Sequence, residues 1–341
     1  MLSRHSLACF LAFAAIVGFA GGSHVCFAGE HKKNAHESPQ GKISRRTLLF
    51  PSTFSLGNLV FVPADFVNGP GTATQTSTIS QARGKVVVDV PNTMAVALLL
   101  SNQVLAKPEC LNSVNGAGID ALKLAFYAED EKERHYCDQT LQYLPRFKDL
   151  QCLDLDHSDS TDAGLSKIGA LKNLRSITGF MTGVRGDCFK DLRTLPLLAR
   201  VDFEQCAIAE ENLRYLSEFP SLRRLGLAHV ELTDRGLGYV CKCQSLTSLR
   251  IQENSKITER GLRQLLVLKN LRNLDLRKTA VTLSSIAQLK SMHLDSLWLS
   301  DKFLTPNYKS RIQAMFPHTE LSVMEVSDER KDDEVIFSKL H

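Results

Sequence analysis

The stretch LRRLGLAHVELTDRGLGYVCKCQS, residues 222–245, joins a short apolar alternation to a helix-like segment. Leu225 and Leu227 are separated by one residue, which is the spacing of a strand with one buried face. The run T-D-R-G-L predicts a helix that starts at Thr233, because Thr is a favoured N-cap and an acidic first turn suits the helix dipole. A strand and a helix this short cannot bury their apolar faces alone, so the stretch predicts one unit of a repeating structure.

The unit recurs through the second half of the chain at intervals of 24, 24, 24, 24, 25 and 23 residues. Each copy opens with L-x-x-L-x-L, and thirteen of the fourteen inward positions are large and apolar, Gly179 being the exception. The spacing predicts seven neighbouring strands with one shared core. The copies begin at Leu150, Leu174, Leu198, Leu222, Leu246, Leu271 and Leu294.

A strand and a helix every 20 to 29 residues or so, opening L-x-x-L-x-L, is the pattern of the leucine-rich-repeat family, which residues 111–323 resemble. The resemblance implies an α/β solenoid of horseshoe shape, with a parallel β-sheet on the concave face and helices on the convex face. The T-D-x-G-L helix starts make the repeats similar to the cysteine-containing class. They also resemble the exported leucine-rich-repeat proteins of planctomycete-type bacteria.

The N-terminus has the order of a secretory signal. Arg4 and His5 precede the apolar run LACFLAFAAIVGFA, and small and polar residues follow, so residues 1–28 are predicted to be a signal peptide cleaved after Ala28. The later run SRRTLLF, residues 44–50, resembles a twin-arginine export motif instead. Either signal predicts export to the periplasm, the cell envelope or the medium, with no stable membrane span left after signal removal.

The remaining segments differ in composition from the repeats. Residues 29–83 are predicted to be a disordered or linker segment, because HKKNAHESPQGKISRR is polar and basic and NGPGTATQTSTISQARG, residues 68–84, is rich in Gly, Thr and Ser. Residues 84–110 contain VVVDV and MAVALLL on either side of Pro91, and these runs predict an N-terminal capping hairpin, with an isolated mini-domain as the alternative. Residues 324–341 form a charged C-terminal tail.

Composition and motifs give no indication of catalysis. The formal net charge is +4 over 341 residues and no Lys/Arg block occurs, so a nucleic-acid interface is not indicated. Phosphate-binding glycine loops and a G-x-S-x-G nucleophile elbow are absent from the sequence. DLDHSDS, residues 154–160, lacks the Gly and Glu of a calcium loop. We therefore expect a non-catalytic protein without cofactor or metal; a metal- or thiol-dependent enzyme is the remote alternative.

The cysteine pair Cys241 and Cys243 has the spacing of a metal or redox site, but the repeat register explains it. Cys243 occupies the position that Leu171, Leu195 and Phe219 hold in other repeats, which predicts a buried thiol. Cys241 occupies a position that tolerates Gly, Arg and Ser, which predicts a half-exposed thiol. The two side chains are thus expected to point in different directions.

The outward-facing positions of the strands contain the predicted functional residues. They would line the concave surface, the usual binding face of such solenoids, and Trp and Arg are frequent interface anchors. The chain is thus expected to be an exported, non-catalytic scaffold that binds a protein or cell-envelope ligand there. The alternative is a structural, envelope-associated module without a specific ligand, in which these residues are polar because they face water. The predicted ligand-binding residues are Asp154, Asp156, Arg200, Asp202, Glu204, Arg224, Arg250, Arg277 and Trp298.

Overall fold

The computed structural model describes residues 43–69, 77–126, 135–303 and 305–322. The predicted signal peptide, residues 1–28, and the predicted charged tail, residues 324–341, lie outside these residues. Fourteen strands form a twelve-stranded sheet and a separate two-stranded sheet within this part of the chain. The strands are β1 Ile43–Leu49, β2 Gly57–Pro63, β3 Ser77–Gln81, β4 Lys85–Pro91, β5 Met94–Leu100, β6 Ala121–Lys123, β7 Cys152–Asp154, β8 Ser176–Thr178, β9 Arg200–Asp202, β10 Arg224–Gly226, β11 Ser248–Arg250, β12 Asn273–Asp275, β13 Ser296–Trp298 and β14 Glu320–Ser322.

The large sheet runs in the order β14 to β5 without a crossover, and then continues through β2 to β3. The strands from β5 to β14 are parallel, whereas β2 pairs antiparallel with both β5 and β3. Short helices return the chain from each strand to the next, as an α/β leucine-rich-repeat solenoid requires. The α-helices are Asn102–Ala106, Tyr136–Leu141, Asp162–Leu165, Phe189–Leu192, Asp234–Val240, Glu259–Gln264, Leu283–Ala287 and Pro306–Met315, and the longest 3-10 helix is Glu210–Glu218.

The predicted inward positions form the core. Leu225 pairs in register with Val201 on one side and Leu249 on the other, and all thirteen large apolar residues at these positions are buried. At the remaining position, a Cβ added to Gly179 would lie 2.6 Å from the ring of Phe203. The large ring of one repeat therefore fills the space that the small residue of the preceding repeat leaves empty.

The T-D-x-G-L runs start helices as predicted. Thr161, Thr233 and Thr258 each have extended backbone, and each side-chain oxygen accepts a hydrogen bond from the backbone N–H two residues later. Such caps satisfy N–H groups that have no partner within the helix, which is important for helices of only four to seven residues.

The acidic residue of the run connects one repeat to the next, beyond the effect on the helix dipole that the sequence indicates. Asp234 accepts hydrogen bonds from the backbone N–H of Thr258 at 2.8 Å and from its hydroxyl at 2.6 Å. Glu210, at the equivalent position of the preceding repeat, which has no T-D-x-G-L run, makes the same pair of bonds to Thr233, at 2.6 and 3.0 Å. A carboxylate of each of these repeats thus holds the helix start of the following repeat.

The glycine of the run leaves room for that carboxylate. A Cβ at Gly261 would lie 2.2 Å from an oxygen of Asp234, and a Cβ at Gly236 would lie 2.5 Å from an oxygen of Glu210. Gly164 stands in the same relation to Asp138, at 2.2 Å. The motif is therefore explained by contacts between repeats. The Thr caps its own helix, the Asp accepts hydrogen bonds from the following repeat, and the Gly leaves space for the carboxylate of the preceding repeat.

The turn after each of the strands β7 to β12 adopts left-handed backbone at a non-glycine residue, for example His157, His229 and Glu253. Side chains near these turns satisfy the backbone groups that the turns expose. Asn254 accepts from the N–H groups of Val230 and Leu232 at 3.1 and 2.8 Å, and donates to the carbonyl of Leu227 at 2.7 Å. Cys206 occupies the corresponding position two repeats earlier and donates to the carbonyl of Gly179 at 3.0 Å.

The N-terminal part differs from its prediction in two ways. Residues 29–83 were expected to be disordered or a linker, yet the described part contains β1, β2 and β3. The reason is that GNLVFVP pairs with β5 along its whole length and buries Leu59, Val60 and Val62. The expected hairpin of residues 84–110 is also absent from the described residues, because β4 pairs with β1 while β5 joins the large sheet beside β6.

Replacing Asp234 with Ala should lower the free energy of unfolding by about 1–3 kcal/mol, because the backbone N–H and hydroxyl of Thr258 lose their shared acceptor. Chemical denaturation followed by circular dichroism would measure the change. The exposed Asp187, replaced with Ala, is the control and should change the stability by less than about 0.5 kcal/mol. Equal effects of the two substitutions would contradict the bridging role.

Candidate functional site: the concave face of the sheet

The strand register arranges the outward-facing side chains of the sheet in three rows. The first row contains Ala97, Ala121, Cys152, Ser176, Arg200, Arg224, Ser248, Asn273 and Ser296. The second row contains Leu99, Lys123, Asp154, Thr178, Asp202, Gly226, Arg250, Asp275 and Trp298. The third row lies two residues further along each chain segment and contains Asp156, Phe180, Glu204, Ala228, Gln252 and Arg277.

All nine predicted ligand-binding residues lie in these rows, but they form three separate groups. The N-terminal group contains Asp154 and Asp156, and the C-terminal group contains Arg277 and Trp298. The central group contains Arg200, Asp202, Glu204, Arg224 and Arg250.

The N-terminal group is a buried carboxylate pair. The Lys123 ammonium contacts both carboxylate oxygens of Asp154 at 3.0 Å, and Asp156 accepts a hydrogen bond from the backbone N–H of Phe180 at 2.8 Å. Both Asp side chains are buried. Burial and the neighbouring Asp156 raise the pKa of Asp154 to about 6, although Lys123 opposes the change. Protonation of Asp154 would therefore occur in mildly acidic solution.

The central group is a network of ion pairs across three strands. Arg200 binds the carboxylate of Asp202 at 2.6 Å, and Arg250 lies 3.5 Å from the same carboxylate while also pairing with Glu204. Burial opposes ionisation of Asp202, but Arg200 and Arg250 hold its pKa below the usual range. The pKa of Arg224 falls to about 10 because of burial and the nearby Arg200.

Gly226 makes this network possible. Arg250 in β11 reaches over β10 to Asp202 and Glu204 on the β9 side, and Gly226 is the second-row residue of the strand in between. A Cβ at this glycine would lie 2.3 Å from a carboxylate oxygen of Asp202 and 3.0 Å from one of Glu204. The absence of a side chain there thus allows an ion pair between strands that are not neighbours.

The C-terminal group combines a cation with the one tryptophan of the chain. Arg277 binds the carboxylate of Asp275 at 2.6 Å, and its guanidinium carbon lies 5.3 Å from the ring centroid of Trp298. This distance is typical of a cation–π contact. Both side chains are half-buried, so each retains surface that faces outward.

The chain itself covers part of the concave face, a feature that sequence reasoning missed. Phe66, which follows β2, is 3% exposed and packs with Ala97, Ala121 and Cys152 of the first row. Arg200 donates a hydrogen bond to the carbonyl of Gly69 at 2.6 Å. These residues lie in the segment that composition predicted to be a linker, and no periodicity indicated their position.

The thiols offer little nucleophilic chemistry. Cys241 was expected to be half-exposed, but it is 6% exposed and packs in the hydrophobic core near Cys243. That expectation was wrong because the small side chain at the end of the helix Asp234–Val240 packs into the core. Burial raises the pKa of both thiols to about 12, so the thiolate form is scarce at neutral pH.

Within the ranges from 43 to 322 that the structure describes, no three His, Cys, Asp or Glu side chains come together as a metal site. In the same ranges, no helix has the length and apolar character needed to span a bilayer.

Comparisons with known proteins add a distant structural likeness. No family model matches the chain, and no curated protein matches it either. The chain is similar to the crystal structure of an internalin from Listeria monocytogenes, with a TM-score of 0.43 and 16% sequence identity. The match covers 64% of this chain and 66% of the internalin, which is less than two thirds of that protein. The fold assignment therefore depends on the repeat geometry described above.

Replacing Asp154 with Asn should change how stability depends on pH. Because its pKa is raised in the folded state, ionisation of Asp154 disfavours folding, and its contribution to stability declines as pH rises through about 6. The unfolding free energy of the native protein minus that of the variant should thus fall between about pH 4, near the ordinary pKa of the unfolded state, and about pH 7, above the raised pKa of the folded state. Thermal unfolding at several pH values measures it. A constant difference would contradict the assignment, and Asp89→Asn, at an exposed position, is the control.

Replacing Gly226 with Ala should destabilise the protein by about 1–3 kcal/mol, because the new methyl group displaces the carboxylates of Asp202 and Glu204. Gly169→Ala is the matched control, since a Cβ there would meet only Thr194 at 3.8 Å. Denaturant unfolding of both variants distinguishes the two sites. Stability equal to or above that of the control variant would show that Gly226 is not required for the network.

Proposed function

We propose that the protein is an exported, non-catalytic scaffold that binds a protein or a cell-envelope ligand through its concave face. The observation that carries the proposal is the contact between Arg277 and Trp298 in the C-terminal group. Trp and Arg supply most of the binding energy in many interfaces, and here they lie side by side and half-buried on the sheet. Charges of all three groups are paired within the chain, including Arg277 with Asp275, but the C-terminal group alone adds the aromatic ring of Trp298 to its cation.

The charge of the face favours a protein over a polyanion. Lys123, Arg200, Arg250 and Arg277 each contact a carboxylate of the same face, so positive and negative groups alternate over short distances. A surface of this kind complements a partner that also has both signs of charge. A phosphate-rich or sulfate-rich polymer would require an excess of cations instead.

Export is proposed from the sequence. The apolar run at residues 7–20, with Arg4 before it and small residues after it, has the order of a secretory signal peptide. The run SRRTLLF offers a second route to export, although residues 44–49 of it form most of β1. A periplasmic, envelope or secreted location would bring the protein into contact with cell-envelope ligands.

The alternative is a structural, envelope-associated module whose repeats pack against other components without a specific ligand. The exposed apolar residues Ile43, Leu49 and Val87 favour this alternative, since all three are on the same face of the β1–β4 sheet. An enzyme that uses a metal or a thiol has the least support, because the burial of Cys241 and Cys243 raises their pKa values.

The concave-face proposal is tested by replacing Trp298 and Arg277 together with Ala. Affinity capture from the native envelope fraction should yield a partner with the unaltered protein, and the double variant should retain less than about a tenth of it. Quantitative mass spectrometry measures the yield, and circular dichroism checks that the variant is folded.

The matched control is the pair Tyr239 and Lys242, in which Lys242 lies 5.3 Å from the tyrosine ring centroid. This pair has the same aromatic–cation chemistry but lies on the helical, convex side. Its double Ala variant should capture as much partner as the unaltered protein. Equal losses in both variants, or undiminished capture without Trp298 and Arg277, would contradict binding at the concave face.

A further inference from the structure

The connection between β2 and β3 is longer than strand pairing requires. It spans residues 64–76, that is thirteen residues, although antiparallel neighbours are often joined by a two-residue turn. The described part, residues 64–69, lies on the concave face.

The segment 64–69 is held to the face by one ring and one carbonyl. Phe66 lies in one buried apolar cluster with Val60 and Val62 of β2 and with Ala95, Ala97, Ala121 and Cys152, and these last four residues form the cradle. The carbonyl of Gly69 accepts a hydrogen bond from Arg200 at 2.6 Å. The side chain of Asp65 is exposed and adds only a weak favourable charge effect on Arg224.

The backbone of the segment is satisfied mostly by itself. The N–H of Gly69 donates to the carbonyl of Asp65 at 2.9 Å, and the N–H of Asn68 donates to the Asp65 side chain, also at 2.9 Å. A Cβ at Gly69 would lie 2.3 Å from that carbonyl, so the turn requires glycine. These hydrogen bonds are within the segment and do not pair its backbone with a strand of the repeats. The segment therefore occupies the face in the way that a bound peptide would.

The composition of the first row changes where the segment ends. Beneath Phe66 the row contains Ala97, Ala121 and Cys152, whereas every later strand up to β13 has a polar residue there. Small apolar side chains form a shallow surface on which an aromatic ring fits, and Arg200 lies at its border as a donor. The small apolar residues of the cradle thus suit an aromatic ring, and Arg200 beside them suits a carbonyl that follows it in the chain.

We propose that the segment 64–69 is a displaceable intramolecular ligand, and that an external partner binds the same cradle with a peptide that has an aromatic side chain and, three residues later, a free carbonyl. This inference rests on the proposed function, because it names the kind of partner that the concave face receives. A partner that binds the N-terminal half of the face must first displace Phe66. The C-terminal group around Trp298 is accessible without that displacement.

The reactivity of the Cys152 thiol measures whether the cradle is covered. Its side chain is 1% exposed and lies in the same apolar cluster as Phe66. In the full chain, Phe66→Ala should raise the alkylation rate of Cys152 by iodoacetamide about tenfold or more, since the thiol loses its cover. Peptide mass spectrometry measures each cysteine separately, and Cys243, buried in the main core, is the internal reference.

The peptide acetyl-PADFVNG-amide, which repeats residues 63–69, should then slow alkylation of Cys152 in the Phe66→Ala variant. About millimolar peptide is needed, because the tethered segment acts at a comparable effective concentration. The same peptide with Ala in place of Phe should not protect, and neither peptide should change the rate in the unaltered protein.

A Cys152 rate that is unchanged in the variant overturns the proposal, as does protection that is equal for both peptides or absent. If Cys243 reacts as fast as Cys152, the variant is globally unfolded, and Phe66→Leu then decides: a rise at Cys152 alone supports the proposal, and no selective rise overturns it. These outcomes are independent of capture through Trp298, so the proposed function and this inference fail separately.

Discussion

A side-chain carboxylate of one repeat accepts hydrogen bonds from the residue that caps the helix of the next repeat, as Asp234 does from Thr258. The helices capped by Thr161, Thr233 and Thr258 are four to seven residues long, which is too short for stability in isolation. Their positions therefore depend on the shared core and on these bridges. Because each bridge needs a glycine opposite it, such as Gly261, the three residues of the run form one interaction that is distributed over two repeats.

Much of the repeat region was predictable because its signals are local and recur. Leu225 and the equivalent residues alternate in every copy, and Thr233 precedes a helix by a fixed distance, so the strands, the core and the caps followed from spacing. The N-terminal strands were not predictable in this way. β1 and β2 occur once each, and their pairing with β4 and β5 joins residues that are more than thirty positions apart.

The candidate site was predictable in outline and not in detail. Alternation placed Asp202, Arg250 and Trp298 on the outward side of the sheet, because a parallel register preserves that side from strand to strand. The partners of these residues depend on distances across the sheet, which spacing does not determine. The role of Gly226 and the position of Phe66 on the first row are both of this kind, since each depends on a residue of a distant segment.

The bridge from Arg250 to Asp202 and Glu204 also affects how the solenoid responds to force. Neighbouring strands are joined by backbone hydrogen bonds, but this ion pair spans two strand intervals at the level of the side chains. Bending that spreads the strands on the concave side would have to separate the largely buried charges of Arg250, Glu204 and Asp202, which is costly. The middle of the solenoid is thus braced against opening, and a ligand that spans it meets a surface of fixed curvature.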